Sequence, residues 1–257
     1  MSRITWGGVG DKIYETGTDR GVYYPANNQG EYTGGVPWNG LTAVSESPSG
    51  AEPNKHYADN GEYANILSAE EFSATIEAFT WPDEFEQSDG VVQPVPGVSV
   101  GQQNRRPFGF SYRTIIGNDT EGQEFGHKIH LIYGATAAPS EKAYATVSDS
   151  TEPTTFSWEL STSPVAVGTI GGVEYRPTAT LTISSKDLDE AKWAELEDIL
   201  YGSDSEEPRL PLPSEVFGLF DLEAQGQSTG EKQGSVAMGV PLTNNEGPAT
   251  ESYDYDD

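Results

Sequence analysis

Short stretches in which large apolar and polar side chains alternate, broken often by glycine and proline, constrain the fold of this chain most. In residues 108–116 (FGFSYRTII) and 154–162 (TTFSWELST), large apolar side chains alternate with small or polar ones, at Phe108, Phe110 and Tyr112 and at Phe156, Trp158 and Leu160. Residues 142–148 (KAYATVS) and 178–184 (TATLTIS) alternate in the same way with smaller side chains. The 29 Gly and 17 Pro favour many short strands over long helices. These patterns predict half-buried antiparallel strands.

One segment, residues 184–202 (SSKDLDEAKWAELEDILYG), has the periodicity of a helix. Ser185 is the expected N-cap, acidic residues follow in the first turn, and Gly202 stands where a helix should end. At helical spacing its large apolar side chains fall on one arc, which predicts one α-helix, at about residues 186–201, packed against the sheet. The apolar residues are Leu188, Trp193, Leu196, Ile199 and Leu200.

Charge and composition exclude several classes of protein. The chain has 41 Asp and Glu against 14 Lys and Arg, a net charge of -27. Such a surface repels phosphate, so a protein that grips nucleic acid is excluded. The absence of cysteine excludes disulfides, thiolate catalysis and cysteine-ligated metal sites. No secretory signal and no run of about 18–20 apolar residues is present, so we expect a soluble protein.

The sequence offers little that indicates catalysis or metal binding. His127 and His130 are three positions apart, which places them on opposite faces of the predicted strand, and His56 is remote in sequence. Residues 7–12 (GGVGDK) lack the end of a phosphate-binding loop. Residues 115–126 (IIGNDTEGQEFG) suit a hairpin loop better than a calcium site.

A group of acidic residues surrounds one predicted strand end. Pro82 should end the strand that carries Glu77, so Glu77 stands on a different element from Asp83, Glu84 and Glu86. A catalytic carboxylate pair needs two acids held in opposed environments across a cleft. Adjacent acids in a turn rarely achieve this, so a solvated acidic turn is predicted.

The first 60 residues are rich in Gly, Pro, Asn and Ser but also contain many aromatic side chains. Disordered linkers lack aromatics, so this segment is expected to lie against a partner, where Tyr and Trp supply contact area. The only adjacent basic pair is expected to meet carboxylates of a neighbour. The candidate inter-subunit contacts are therefore Trp6, Tyr23, Tyr24, Trp38, Tyr57, Arg105 and Arg106.

Five separated stretches together resemble one known family in consistent order. They are residues 6–25 (WGGVGDKIYETGTDRGVYYP), 36–60 (VPWNGLTAVSESPSGAEPNKHYADN), 68–85 (SAEEFSATIEAFTWPDEF), 105–144 (RRPFGFSYRTIIGNDTEGQEFGHKIHLIYGATAAPSEKAY) and the helix before 201–204 (YGSD). The family is the major tail protein, or tail tube protein, of long-tailed, non-contractile bacteriophages, the siphophage type of Gram-positive hosts. The resemblance covers roughly residues 5–215.

This resemblance implies an antiparallel β-sandwich or partial barrel with one flanking α-helix, an N-terminal arm and a C-terminal extension. It implies a non-enzymatic virion protein, assembled in the host cytoplasm, whose hexameric rings stack into the tail tube. Genomic DNA would pass through the lumen without specific binding. The implied partners are further copies of the chain and the tail terminator, tape measure and distal tail proteins; neither a cofactor nor membrane insertion is implied.

The expected parts are an aromatic arm with loops (residues 1–60), a β-sandwich tube domain (61–215) and an acidic extension (216–257). Acids that line the lumen or a seam between subunits would be Glu77, Asp83, Glu84 and Glu86, because carboxylates repel the DNA backbone. A carbohydrate-binding adhesin that uses Trp38 and Trp81 as stacking platforms is the main alternative. A glycoside hydrolase using Glu77, Asp83 or Glu159 is a further reading that no spacing supports.

Overall fold

The computed structural model describes residues 4–144, 146, 153–220 and 224–225, the last two as backbone only. Its strands are β1 (Tyr14–Pro25), β2 (Tyr32–Thr33), β3 (Val36–Pro37), β4 (Leu41–Glu46), β5 (Ser49–Gly50), β6 (Pro53–Ala58), β7 (Gly61–Leu67), β8 (Glu70–Glu71), β9 (Ser73–Ala78), β10 (Val92–Val95), β11 (Val98–Val100), β12 (Phe108–Asn118), β13 (Gly122–Ala137), β14 (Phe156–Thr162), β15 (Gly168–Ile170), β16 (Val173–Tyr175), β17 (Thr180–Ser184), β18 (Arg209–Leu210) and β19 (Ala224–Gln225). The helices are α1 (Glu190–Tyr201) and α2 (Pro213–Leu219), and Asp83–Gln87 and Ser185–Asp187 form 3-10 turns. The predicted mainly β, antiparallel fold is confirmed.

One antiparallel sheet organises the molecule, with the strand order β3-β1-β12-β13-β14-β9-β4 and with β17 also paired to β13. Residues 128–132 of β13 pair with β17, and its last three residues pair with β14. The strand changes partner at Gly134, which has φ +58°. A Cβ at this position would collide with the carbonyl oxygen of Ser163. The sheet bends here into a first layer (β1, β12, β13 and β17) and a second layer (β14, β9 and β4).

The main hydrophobic core fills the space between the two layers. Trp158 of the second layer and Phe108 of the first are fully buried, and Phe85 of the 3-10 turn packs edge-on against both rings at 5.5 and 5.6 Å. The alternation of a half-buried strand is present in β9, where Ile76 and Ala78 point into the core. The alternation predicted from the sequence is confirmed in two further strands. These are β12, with its aromatic residues buried, and β14, with Phe156, Trp158 and Leu160 buried. The bent sheet is thus a partial barrel, not a closed one.

A second core lies on the other face of the first layer. Leu196 and Leu200 of α1 and Val216 of α2 pack on Leu131 and Tyr133 of β13. The predicted helix is confirmed, and it ends as expected at Gly202, which has φ +84°. The expected N-cap Ser185 is wrong: Ser185–Asp187 form a 3-10 turn, and Asp189 caps α1 by accepting a hydrogen bond from Ala191 N at 2.9 Å.

Three further features differ from the predictions. β1 lies within the N-terminal stretch that was expected to be irregular, and it pairs with β12 from Tyr14 to Pro25. Helix α2 is a second helix where only one was expected, and it begins before residue 216. Residues 142–144 form no strand, and most of 145–150 lies outside the described residues, as does the expected extension except for 216–220 and β19.

Candidate assembly surfaces

The strands β4 and β9 continue beyond the sheet as a projecting hairpin, residues 49–71, called the long hairpin below. In it β5 pairs with β8 and β6 with β7, and a two-residue turn at Asp59 and Asn60 joins β6 to β7. Every residue except Ala64 is exposed. Tyr57 and Tyr63 are 69% and 79% exposed. A two-stranded hairpin by itself is only marginally stable in water, and its exposed apolar side chains suit it to packing on another surface.

The N-terminal segment, residues 4–13, runs outside the sheet. Its apolar side chains are open to solvent, with Trp6 86% exposed and Val9 87%. Asp119, at the turn between β12 and β13, holds the segment: its carboxylate accepts from Gly10 N at 3.0 Å and lies 3.6 Å from Lys12 Nζ. This N-terminal arm, residues 4–13, is therefore attached to the subunit at Gly10 and Lys12, and Trp6 precedes the attached part with its side chain exposed.

The first layer has two edges without a strand partner among the described residues. β3 covers β1 only at Val22 and Tyr23, which leaves Tyr14–Asp19 open on that side. β17 pairs only with β13. Successive strands across the layer run antiparallel, so β1 and β17 run in opposite directions.

The edge of β17 lacks the features that usually protect a sheet edge. Its sequence, TLTIS, contains neither proline nor charge, and its pairing with β13 has no register shift. By contrast, β3 contains Pro37, β4 has an irregularity after Leu41, and β1 is bulged at Gly17, which has φ +68°. Beside β17, an apolar groove of about 200 Å³ reaches α2 and is lined by Leu181, Leu188 and Phe217, among others. β17 is thus suited to accept an added strand.

The structure places three predicted contact residues inside the subunit. Tyr23, Tyr24 and Trp38 are buried, and each polar group on these rings has a partner. Tyr23 Oη lies 2.9 Å from Ser88 Oγ, Tyr24 Oη donates to Leu200 O at 2.8 Å, and Trp38 Nε1 donates to Thr80 O at 2.8 Å. These aromatics hold the subunit together, which leaves Trp6 and Tyr57 as the exposed aromatic candidates.

The two adjacent arginines also bind within their own subunit. Arg106 Nε donates to Ala26 O at 2.6 Å. Arg105 donates to Ala137 O at 2.9 Å and lies 3.4 Å from a carboxylate oxygen of Asp89. Asp89 is nearly buried and also accepts from Lys142 Nζ at 2.6 Å. This network ties the segment after β13 to the loop after the first 3-10 turn, so the expected pairing with a neighbour's carboxylates is not needed to satisfy these arginines.

The four candidate acids lie on two separate elements, β9 and the 3-10 turn Asp83–Gln87. Glu77 is half-buried on the face of β9 that points away from the core. An open depression of about 510 Å³ beside β10 is lined by Asp83, Glu84 and Glu86. These three acids lie on the 3-10 turn, where the sequence predicted a solvated acidic turn. Neither Glu77 nor Glu159 lines this depression, so it does not unite the acids weighed for a hydrolase.

The histidines occupy separate environments. His127 and His130 lie on opposite faces of β13, as predicted, and His56 lies on the long hairpin. Burial is the main cause that lowers the pKa of His127. The described residues contain no group of three or more His, Asp or Glu side chains arranged to hold a metal ion. Within the same residues, no helix is long and apolar enough to cross a membrane.

The tryptophans weighed as sugar platforms are engaged in packing. Trp38 is buried and contacts Trp158 at 5.3 Å between ring centroids. Trp81 packs edge-on against Phe156 at 4.9 Å, and the ammonium of Lys142 lies 4.5 Å from its centre. A stacking platform needs an open ring face: Trp38 is buried, and Lys142 lies over the ring of Trp81.

No protein-family model and no curated protein matches the chain. Among solved structures, it is similar to a chain of an extracellular contractile injection system, the PVC sheath-tube complex in the extended state. That likeness has 11% identity, covers 64% of this chain and 88% of the other, and has a TM-score of 0.32. A chain of the anti-feeding prophage (AFP) baseplate, 6-fold symmetrised, is similar at 10% identity over 70% of this chain and 97% of the other, with a TM-score of 0.33. Values this low do not establish a family.

Proposed function

We propose that the chain is a structural tail protein whose copies close into rings, six to a ring, and stack into the tail tube of a siphophage-type virion. The tube is a negatively charged conduit for double-stranded DNA. Copies of the same chain are its main partner, and the tail terminator, tape measure and distal tail proteins meet its ends. The resemblance of residues 5–215 to tail tube proteins suggests this role.

The observation that carries the proposal is the pair of open edges on the first layer. Rotation about an axis along the strands keeps the direction of every strand. A rotated copy therefore offers its β1 edge antiparallel to the β17 edge of the first copy, since β1 and β17 run in opposite directions. Each copy has one edge of each kind, so the contact is heterologous and closes into a ring if the rotation permits.

The projecting parts supply contacts in addition to the edges. The long hairpin and the arm extend from the sheet with Tyr57, Tyr63 and Trp6 uncovered. Burying an aromatic side chain on a neighbour removes about 150–250 Å² from water. We assign these residues to contacts between subunits or between successive rings.

The net charge of -27 fits a conduit better than a DNA-binding surface. Affinity for DNA comes mainly from Lys and Arg that displace counterions, so an acidic channel lets the duplex slide. Glu77, Asp83, Glu84 and Glu86 are the acids assigned to the channel or to a seam. Substituting all four by lysine in assembled virions should slow DNA release, and unchanged ejection kinetics would remove this assignment.

Electron microscopy of the purified chain tests the role directly. At high concentration with magnesium, the expected result is rings or hollow tubes with sixfold end views. Particles of monomer size under every condition, with binding to glycans on an array, would support the adhesin instead.

Engineered cysteines test the edge contact, since the chain has no cysteine of its own. Thr18, Thr182 and Ser184 lie on the same face of the first layer. Thr18→Cys combined with Thr182→Cys or Ser184→Cys samples two registers, and oxidation should give a ladder of linked copies. Each single variant should stop at the dimer. Tubes that form without any ladder beyond the dimer would refute edge pairing while leaving the tube role intact.

A further inference from the structure

The side chain of Glu46 bridges the two layers at the root of the long hairpin. Glu46 is the last residue of β4, and its ladder partner is Ala74 of β9. Along the sheet, three strands separate β4 from β12. A contact between Glu46 and β12 therefore crosses the open end of the partial barrel and is not part of a strand ladder.

Two aromatic rings of the first layer receive this carboxylate. Tyr112 Oη donates to Glu46 Oε1 at 2.7 Å, and His130 Nδ1 lies 3.6 Å from the same oxygen. The rings of Tyr112 and His130 stack with centroids 4.5 Å apart and planes within 3°. Thr114 Oγ1 lies 3.1 Å from His130 Nε2, on the side of the ring away from the carboxylate. The stacked rings and the contact with Thr114 thus hold the groups that face the Glu46 carboxylate.

The partners of Glu46 favour its ionised carboxylate, although burial opposes it. The proximity of His130 lowers the pKa of Glu46 more than burial raises it, and the hydrogen bond from Tyr112 lowers it further. Burial is the main cause that raises the pKa of Tyr112, and the bond to Glu46 adds to it, so the phenol stays a donor. Glu15, whose charge also raises the pKa of Tyr112, pairs with Lys128. The contact is a charge-assisted hydrogen bond, the stronger kind.

The rest of the hairpin root is held by strand pairing and by contacts with the second layer, where Thr162 Oγ1 donates to Phe72 O at 2.6 Å and Phe72 packs on the main core. Ser47 N donates to Ser73 O at 2.8 Å, and Ser73 Oγ donates to Ser47 O at 2.6 Å. These bonds join the two arms of the hairpin to each other, so they do not fix its direction relative to the first layer. The bond from Tyr112 to Glu46 joins the hairpin root to that layer.

We infer that Glu46 is a positioning residue, which sets the direction in which the long hairpin projects by tying its root to Tyr112 and His130. The inference concerns the isolated subunit and holds whether or not rings form. If the proposed function is correct, the same tie presents Tyr57 and Tyr63 to the neighbouring copy in one orientation.

Pulsed electron spin resonance on the full chain tests the inference. Spin labels go on Asn65→Cys in the long hairpin and on Glu195→Cys in α1, both of which are exposed and lie in a chain without other cysteines. The labelled protein is measured as a monomer at low salt. Circular dichroism is recorded for every variant, so that loss of folding is recognised separately.

The parent should give one narrow distance. Glu46→Ala should lose it and give a broad distribution, and Tyr112→Phe, which keeps the ring but removes the donor, should do the same. Glu46→Gln should restore part of the narrow component, because its amide oxygen still accepts from Tyr112. Glu71→Ala is the matched control at the other strand of the root and should match the parent.

Two outcomes would overturn the inference. A folded Glu46→Ala protein with the parent's narrow distance would show that the tie does not set the direction. Equal broadening in Glu71→Ala would show that any change at the root loosens the hairpin. Combining Glu46→Ala with Tyr112→Phe should broaden the distribution no further than Glu46→Ala alone, since the two groups form one bond, and additive broadening would also count against the tie.

Discussion

The bend of β13 at Gly134 should tolerate no side chain, and Gly171 provides an unusually close control. Both glycines have φ +58°, a backbone conformation that disfavours residues with a Cβ. A Cβ on Gly134 would meet the backbone of Ser163, whereas a Cβ on Gly171 would meet nothing within 4 Å. Comparing the two alanine variants therefore separates the cost of the backbone conformation from the cost of the collision.

The magnitudes follow from these two terms. The left-handed conformation costs an alanine roughly 1–2 kcal/mol. The smaller entropy of its unfolded chain offsets about 0.4–1 kcal/mol of that cost. Gly171→Ala should therefore lower the free energy of unfolding by about 1 kcal/mol. Gly134→Ala adds the displacement of Ser163, which we take as the roughly 1–3 kcal/mol of an overpacked interior.

Thermal unfolding followed by circular dichroism measures the difference. At about 2–4 °C per kcal/mol for a domain of this size, Gly171→Ala should lower Tm by about 2–4 °C. Gly134→Ala should lower Tm by roughly 5–15 °C on the same scale. It should also weaken the near-ultraviolet circular dichroism of the aromatic core. Equal shifts in Tm for the two variants would refute the argument that the close approach of Ser163 requires glycine at the bend.

Three other changes have expected outcomes. Asp89→Asn should lower the free energy of unfolding in urea by about 2–3 kcal/mol. This loss is smaller than the loss expected when a fully buried ion pair is broken, because Lys142 keeps some contact with water. Glu84→Gln, the same kind of change at an exposed residue, should have no measurable effect. The hydrogen bond from Arg113 lowers the pKa of Asp19, so its contribution is complete above the ordinary carboxyl pKa and is lost as pH falls through the lowered value. Asp19→Asn should therefore flatten the acid side of a Tm-against-pH profile, and an unchanged slope would contradict this. Tube formation followed by light scattering should accelerate with salt or magnesium, which screen charge repulsion over about 8–10 Å, and equal rates at low and high salt would argue against repulsion as the barrier.

Alternation of side chains predicted the strands that face the core on one side. In β9 and β14 every second residue is buried, because a strand with one face on the core imposes that period. In β12 the aromatic side chains alternate as predicted, but the small residues between them are buried too, since a second core covers the other face of the first layer. Gly202 marked the end of α1 for an equally local reason, since its positive φ favours glycine. Local geometry alone decides these features, so the sequence is sufficient to predict them.

The missed features depend on contacts between distant residues. Tyr23, Tyr24 and Trp38 have the composition of a binding arm, but partners as far away as Ser88 and Leu200 make them core residues. β1 was missed because glycine, threonine and charged residues hide its pairing with β12. Exposure of an aromatic side chain is a tertiary property, so the exposed Trp6 and the buried Trp38 cannot be distinguished by composition.

The pairing pattern of the sheet also has a consequence for how quickly the chain reaches it. In the ladder between β1 and β12, Tyr14 faces Gly117, and in the ladder between β9 and β14, Ala78 faces Phe156. Each ladder joins strands that are separated by many tens of residues. A large loop must therefore close, at a cost in chain entropy, before the first hydrogen bond between the strands forms. Such non-local sheets fold in milliseconds to seconds, compared with microseconds for a single hairpin. During that interval β12 and β13 are able to pair first, and their outer edges stay open until β1 and β14 arrive.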